Sequence, residues 1–219
     1  EDCRRQRQMC IRDRFNTGST GTLTLTNGIV PSKTLGVDPV RTISGTNTVQ
    51  ITHSDHHMYS SNNNVTISGA KSGISTTLNG AITNAAGINL TLTSATGFEA
   101  SNDSSRCYVK IDNEILFGTL SSNNINNLTR AQDGTSAAAH ANGATVELYQ
   151  INKIPLTEIN TTHTSLSNIG IDNYVVTTTT NANASSNQGG NAVVATENAQ
   201  MDGGDAVSYT HLTLPTTVF

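Results

Sequence analysis

The chain has 219 residues, of which 35% are hydrophobic, 4% aromatic and 13% charged, and its formal net charge at pH 7 is −4. Thr, Asn, Ser, Gly and Ala replace many of the usual apolar and charged residues, so a given length of chain buries only a thin core and one large enzyme core is disfavoured. Low charge with many β-branched residues also argues against a wholly disordered chain, and no apolar run is long enough to predict a transmembrane helix.

The chain begins with a basic stretch, RRQRQMCIRDR at residues 4–14, that holds five of its twelve Lys and Arg residues. A nucleic-acid arm would have this charge, whereas a signal peptide would need an apolar segment after it. At the other end, VSYTHLTLPT at residues 207–216 follows a Gly-Gly-Asp turn abruptly. Both stretches match, codon by codon and in opposite orientations, translations of the transposon-end adapter used in sequencing libraries. We therefore expect residues 1–14 and 207–219 to be adapter-derived and exclude them from functional reasoning.

Between these ends the chain is acidic. Residues 15–206 carry seven Lys and Arg residues and thirteen Asp and Glu residues, a net charge of −6. Such a surface repels phosphate backbones, so nucleic acid is not an expected partner. Cys3 and Cys10 fall within the first 14 residues, which leaves Cys107 alone. A lone cysteine forms no internal disulfide, and we expect a small buried apolar residue there.

Strands are predicted along the whole chain, because apolar residues alternate with polar ones that are often Thr. The predicted strands are residues 21–26, 47–53, 64–69, 88–94, 107–112, 114–120, 124–130 and 144–150. The predicted turns are Asn27-Gly28, Asn79-Gly80, Asp133-Gly134 and Asn142-Gly143. No segment sustains a helical period, and TSAAAH at residues 135–140 is expected to form one helical turn.

These elements predict an all-β fold of two or more small modules that resemble sandwiches or barrels. We divide the native part into a first β module at 15–84, a second β module at 85–150 and a segment at 151–206. That last segment begins as a connector and continues as low-complexity sequence, TTTTNANASSNQGG, which predicts a loosely ordered Thr/Asn-rich C-terminal part.

One cluster, HSDHH at residues 53–57, has the residue types of a metal site. His53, Asp55 and His57 on a loop could hold Zn²⁺ or Ni²⁺. The familiar pairing of histidines four residues apart requires a helix, however, and this stretch follows a predicted strand. We therefore predict no metal and no cofactor, and keep the three residues as minor candidates.

No group of residues predicts catalysis. No serine lies in a G-x-S-x-G turn. Asp112 and Glu114 are two positions apart and so share one face of a predicted strand, where a solvated pair of edge charges is a better explanation than a glycosidase carboxylate pair. We expect no enzymatic activity.

The stretch YVKIDNEILFGTLSSNNINNLTRAQDGTSAAAHANGATVELYQ, residues 108–150, resembles a module that recurs in the virion proteins of tailed phages, especially those of tails, fibres and baseplates. The resemblance lies in the strand pair around IDNEI and in the LTR, DGT, AAAH and NGA elements that follow it. The structural motif residues it defines here are Asp112, Glu114, Arg130, Asp133, Gly134, His140 and Gly143.

Two further stretches support this resemblance. Residues 49–80 are similar to a phage tail pattern, although His56-His57 stands where that pattern commonly has His-Gly, and residues 153–176 resemble structural proteins of marine myovirus-like phages. The resemblance implies scaffold roles for the motif: Gly134 permits a tight turn, Arg130 binds turn carbonyls or pairs with Asp133, and His140 caps the Ala-rich turn.

For the whole chain, the resemblance implies an internal fragment of a virion structural protein, associated with the tail or tail fibre and located in the virion. Its expected partners are other copies of itself, as a homo-oligomer such as a trimer, other virion proteins and host-surface glycans, with no nucleic acid and no membrane insertion. The alternatives are a secreted bacterial adhesin or carbohydrate-binding β module, and a fibre-borne depolymerase.

Overall fold

A computed structural model of the chain describes residues 32–57, 59, 61, 63–98 and 106–198. The predicted strand at 21–26, the Asn27-Gly28 turn and both adapter-like ends lie outside these residues. The described part is nearly all β, which confirms the predicted fold class. Its strands are β1 (Lys33–Thr34), β2 (Val40–Thr42), β3 (Thr48–Thr52), β4 (Asn64–Ser68), β5 (Ser75–Thr77), β6 (Leu90–Thr91), β7 (Cys107–Ile111), β8 (Glu114–Ser121), β9 (Asn124–Gln132), β10 (Thr145–Leu148), β11 (Gln150–Ile151), β12 (Ile154–Pro155), β13 (Thr162–His163), β14 (Asn173–Thr177), β15 (Ser186–Gln188) and β16 (Val194–Asn198).

The predicted strands correspond to β3, β4, β6, β7, β8, β9 and β10, with β11 at the end of the last prediction. These strands form because buried apolar side chains alternate with more exposed polar ones. In β3 and β4, Val49, Ile51, Val65 and Ile67 are buried while their neighbours are at least partly exposed. One short helix, α1 (Leu156–Ile159), buries Leu156 and Ile159. No helix among the described residues has the length and apolar character needed to cross a membrane.

Residues 72–148 form what we call the inserted module. Its six-stranded sheet has the order β5-β10-β7-β8-β9-β6 and is antiparallel throughout. Its core has side chains from both ends of this range, including Leu78 and Leu148, together with Phe98 and the buried Cys107. Cys107 is therefore a small core residue, as predicted.

Residues 32–71 and 149–198 together form what we call the split module. Two four-stranded sheets, β1-β16-β4-β13 and β14-β3-β2-β15, combine strands from both halves. All of their pairings are antiparallel, for example Tyr174 opposite Ile51 and Ala195 opposite Ile67. The two halves share one apolar core, to which α1 also contributes.

The two cores group the strands differently from the predicted modules. A boundary between residues 84 and 85 would separate β5 from β10, which are hydrogen-bonded neighbours in one sheet. Likewise, the 151–206 segment, predicted as a connector followed by low-complexity sequence, supplies β14 and β16, which complete the sheets of β3 and β4. Alternation shows that a strand has an apolar face, but it does not show which distant strand will cover its edge.

The Thr/Asn-rich stretch at 177–190 makes specific hydrogen bonds despite its simple composition. After Thr177, which ends β14, the stretch forms β15, and β15 pairs with β2. The Glu158 carboxylate accepts hydrogen bonds from the backbone N–H groups of Thr179 and Thr180, at 2.7 Å and 2.9 Å, and from the Thr180 hydroxyl at 2.7 Å. The part of the predicted loose segment after residue 198 lies outside the described residues.

Candidate functional site

The motif that carries the phage resemblance forms a buried cluster of charged side chains. Glu114 begins β8 and Arg130 lies on β9. Their side chains are 1% and 5% exposed. Two hydrogen bonds join them, from Arg130 Nε to Glu114 Oε1 at 2.7 Å and from Nη2 to Oε2 at 2.6 Å. This bidentate geometry is one of the strongest ion-pair arrangements that a protein forms.

Glu114 has three further hydrogen-bond partners. The backbone N–H groups of Ala131 and Ala138 donate to its oxygens at 3.1 Å and 3.0 Å, and His140 Nε2 lies 2.9 Å from Oε2. Burial by itself would raise the pKa of Glu114, but the hydrogen bonds from Arg130, Ala138, His140 and Ala131 outweigh burial and lower the pKa to about 2. The carboxylate is therefore ionised at neutral pH, with its acceptor sites occupied, and is unsuited to general acid or base chemistry.

His140 joins this ion pair to the β7–β8 turn. Because an ionised carboxylate can only accept, the His140 ring donates from Nε2 to Glu114. Its Nδ1 lies 2.8 Å from Oδ2 of Asp112, whose side chain is 67% exposed. The ring is itself 1% exposed and spans the distance between the buried carboxylate and the surface carboxylate. This bridge replaces the predicted role of His140 as a cap, because residues 135–139 form no helical turn.

Arg130 uses its remaining donors on backbone carbonyls. Nη1 donates to the Thr83 carbonyl at 2.6 Å, and Nη2 also donates to the Ala138 carbonyl. Binding to loop carbonyls is one of the two predicted roles. The charged partner of Arg130 is Glu114, however, and not Asp133, which accepts a hydrogen bond from Thr157 in the split module.

The turn at Asp133-Gly134 has the predicted conformation. Asp133 and Gly134 both have positive φ, 54° and 74°, and the Thr135 N–H donates to the Gln132 carbonyl at 3.1 Å. Positive φ at both central residues defines a type I′ turn, which explains the Asp-Gly sequence. Gly143 also has a positive φ, 83°, and its N–H donates to Leu78.

Asp112 and Glu114 do not form the predicted pair of solvated edge charges. Asp112 lies in the two-residue turn between β7 and β8, with φ of 53°, and this turn breaks the alternation that would place both side chains on one face. Asp112 is consequently exposed while Glu114 is almost completely buried.

The HSDHH loop packs two of its histidines into a cluster of aromatic rings. The ring centroids of His53 and His57 are 5.0 Å apart, and both rings contact Tyr59 and Tyr174. His57 Nδ1 accepts a hydrogen bond from the Tyr59 N–H at 2.9 Å, and Nε2 donates to the Asn173 carbonyl at 3.1 Å. Both nitrogens of this ring are therefore already occupied.

The third metal candidate, Asp55, lies at the surface. Its carboxylate is 62% exposed and pairs with Lys33 at 2.7 Å. Among the described residues, no group of three or more His, Cys, Asp or Glu side chains is arranged to hold a metal ion.

His53 and Tyr174 have buried side-chain polar atoms that lack a hydrogen-bond partner among the described residues. Both ring nitrogens of His53 and the hydroxyl of Tyr174 are shielded from solvent and unpaired within the described part of the chain. Burial, assisted by repulsion from His57 and Lys33, lowers the pKa of His53 to about 4, and burial raises the pKa of Tyr174. This cluster is a weak point in the split module, because unpaired buried polar groups destabilise a fold.

Sequence patterns did not indicate the buried asparagine that ties the two halves of the split module together. Asn152 Nδ2 donates to the Thr42 hydroxyl at 2.7 Å and to the Ser186 hydroxyl at 2.6 Å. Asn152 also has a positive φ, 47°, which asparagine tolerates better than most residues. In a chain so rich in Asn, only the long-range pairing of β2 with β15 distinguishes this residue from the others.

No protein-family model, no curated protein and no solved structure matches the chain. The geometry therefore defines only a class: an all-β protein of two modules, one inserted into the other, in which Glu114, Arg130 and His140 form a buried hydrogen-bond network.

Proposed function

We propose that this chain is part of a structural protein of a phage virion, associated with the tail or tail fibre, and that it acts by assembly. The observation that carries the proposal is the network around Glu114. The residues behind the phage resemblance, Asp112, Glu114, Arg130 and His140, contact one another and the backbone of the following loop. They hold the shape of the module, and the buried side chains of Glu114, Arg130 and His140 are occupied by these contacts, which fits a scaffold better than an enzyme.

Exposed apolar side chains at one end of the split module support assembly. Val37 and Ile171 are 77% and 67% exposed. Their loops flank the HSDHH loop, since the Thr52 N–H donates to Pro39 and the His53 N–H donates to Asp172. We propose that copies of the chain meet at this end. Light scattering on the full chain checks this: replacing Val37 and Ile171 by Ser should lower the mass of the oligomer, and a monomeric parent chain would contradict self-assembly.

Proteomics of virus particles tests the virion assignment. Trypsin cleaves after Arg130 and Lys153 and releases residues 131–153, a peptide that contains most of the motif loop. We expect this peptide to be enriched, together with tail proteins, in particles purified from the sample that yielded the sequence. Enrichment in the cellular or secreted fraction instead would favour the bacterial adhesin and overturn the proposal.

A further inference from the structure

A cleft of about 320 Å³ lies where the chain passes between the two modules. It is lined by residues 69–75, on the way into the inserted module, by residues 147–149, on the way out, and by Leu156 and Asn160. Clefts of this size are at the lower end of those that hold small molecules.

Hydrogen bonds fix the walls of this cleft. The Asn160 side chain accepts from the Ala70 N–H at 2.9 Å and donates to the Ala70 carbonyl at 3.0 Å. The Ser72 hydroxyl donates to the Leu148 carbonyl at 2.6 Å, so the incoming and outgoing segments are joined directly. The cleft is therefore preformed, which lowers the entropic cost of binding a ligand.

The lining is apolar at its base and charged at its rim. Leu148 and Leu156 are buried, whereas Lys71 and Glu147 are exposed and Lys110 is partly exposed. Neither lysine forms an ion pair with any carboxylate among the described residues. Although the whole chain has a net charge of −4, these three charged side chains sum to +1. The rim thus offers two ammonium groups for an anion and one carboxylate that can accept hydrogen bonds from hydroxyl groups.

An aromatic pair lies on the same face of the inserted sheet as Lys110, one of the residues at the rim of the cleft. In β7 the side chains of Cys107, Val109 and Ile111 are buried, so Tyr108 and Lys110 share the opposite face. Tyr108 is about 7 Å from Lys110 along the strand. The ring centroids of Tyr108 and Phe117 are 4.7 Å apart, and the Arg106 guanidinium lies 5.5 Å from the Tyr108 ring centroid.

We propose that this surface binds an acidic saccharide, with a carboxylate-bearing sugar in the cleft and the next sugar ring on Tyr108 and Phe117. Lys71 and Lys110 bind the carboxylate, Glu147 accepts hydrogen bonds from sugar hydroxyls, and the aromatic faces contact the C–H face of the second ring. The proposal does not depend on assembly into a virion and can be tested on the chain alone.

Calorimetric titration of the full chain at low ionic strength tests the proposal with three probes. Trigalacturonate should bind, its methyl ester should bind at least about tenfold more weakly because the charge is gone, and triglutamate, which has the charge without sugar rings, should also bind weakly. If the ester binds as tightly as trigalacturonate, then Lys71 and Lys110 do not bind the carboxylate. Equal binding of triglutamate would show a site for charge alone. Either result, or no binding of trigalacturonate, overturns the proposal.

Single substitutions locate the site. Lys71→Gln and Lys110→Gln should each weaken trigalacturonate binding about tenfold, as expected for one lost charge-assisted hydrogen bond, and Tyr108→Ala should weaken it as well. Lys33→Gln is the matched control, since Lys33 pairs with Asp55 in the split module and lies outside the cleft. Unfolding temperatures by circular dichroism verify that each variant is folded. Equal loss in Lys33→Gln would mean that binding reflects overall charge and would overturn the assignment.

Discussion

The inserted module and the split module differ in how far apart in the chain their paired strands lie. In the inserted module, β7, β8 and β9 follow one another as hairpins. In the split module, β3 pairs with β14 and β4 with β16, and the Thr178 hydroxyl donates to the carbonyl of Asn47, 131 positions away. Pairing over such a distance costs loop-closure entropy unless something first brings the two halves together.

The inserted module provides that closure. Its first and last residues are in contact, because the Ser72 hydroxyl donates to the Leu148 carbonyl. Once the inserted module has folded, residues 71 and 149 lie close together. The two halves of the split module are then joined by a short connection in place of a long flexible loop. We therefore expect that destabilising the inserted module also destabilises the split module. The reverse effect should be smaller.

The largest effect is expected from Glu114→Gln. This change leaves the buried Arg130 guanidinium without its counter-charge and should lower the free energy of unfolding by about 3–5 kcal/mol. Hydrogen exchange followed by mass spectrometry should show lost protection in β7 and β8 and, through the lost closure, in β3 and β14 as well. Loss confined to the inserted module would contradict the coupling.

A double-mutant cycle controls this experiment. Arg130→Gln alone should also be strongly destabilising, because it leaves Glu114 buried and unpaired. The double variant Glu114→Gln with Arg130→Gln should lose clearly less than the sum of the two single variants, since no uncompensated charge remains. Simple additivity would show that the two side chains do not act as a pair.

A smaller and more local effect is expected from Gly69→Ala in the split module. Gly69 has a φ of +79°, and a Cβ there would lie 2.3 Å from the carbonyl oxygen of Ala192. The clash is with backbone that joins the two halves, so we expect a loss of about 3 kcal/mol. Hydrogen exchange should increase in β4 and β16 while β7 and β8 stay protected.

Gly73→Ala is the matched control. Gly73 has nearly the same φ, +75°, but no atom lies within 4 Å of its ideal Cβ position. The free energy of unfolding of Gly73→Ala should fall by about 1 kcal/mol, which is the cost of placing alanine in the left-handed conformation. Equal losses in the two variants would mean that backbone conformation, and not contact with Ala192, sets the cost at Gly69.

The two modules also differ in how much of their structure could be predicted from the sequence. Local signals were sufficient for seven strands, β3, β4 and β6–β10, and for the Asp133-Gly134 turn, because alternation and turn chemistry act within a few residues. They were insufficient for the split module, where the 151–206 segment predicted as a connector supplies half of two sheets. The information that matches β3 to β14 lies in the complementarity of two faces more than one hundred residues apart, which no local pattern reports.

The candidate site shows the same limit at the scale of single residues. The motif residues were identified from the sequence, but the partner of Arg130 was not, because the pairing depends on local breaks in strand geometry. Asp112 adopts a positive φ in the turn before Glu114, and Ala131 adopts a φ of 54° directly after Arg130. Each break changes which face the next side chain occupies, so alternation misplaced Asp112 and overlooked the burial of Glu114. The cleft rim, formed by Lys71, Lys110 and Glu147, depends on where the two modules join and had no signal in the sequence.

The smallest of the three expected losses of stability is caused by lowering the pH, and it should affect the split module before the inserted module. His53 has its pKa lowered from 6.5 to about 4, so its contribution to stability is complete above pH 6.5 and is lost as pH falls towards 4. Glu114 has its pKa lowered from 4.5 to about 2, so its contribution is lost only below pH 4.5. Between pH 6.5 and 4.5 the split module alone should weaken, and the loss attributed to His53 should reach about 2 kcal/mol near pH 5.

Substitution of His53 by Phe tests whether His53 causes the acid sensitivity of the split module. Burial, His57 and Lys33 oppose a charge on His53, and Asp55 and Asp172 offset them only in part, so a neutral ring should remove the share of the pH dependence that comes from His53. The smaller share from buried His163, whose pKa is also lowered, should remain. Phe also removes two buried ring nitrogens that have no partner among the described residues, so stability at pH 7 should be equal or higher. Urea unfolding at pH 7 and pH 4.5, with exchange measured in β3 and β8, provides the readout, and His56→Gln is the control on the exposed neighbour. If His53→Phe keeps the acid sensitivity of the parent chain, or if β8 loses protection before β3, then the weak point of the split module does not lie in its histidine cluster.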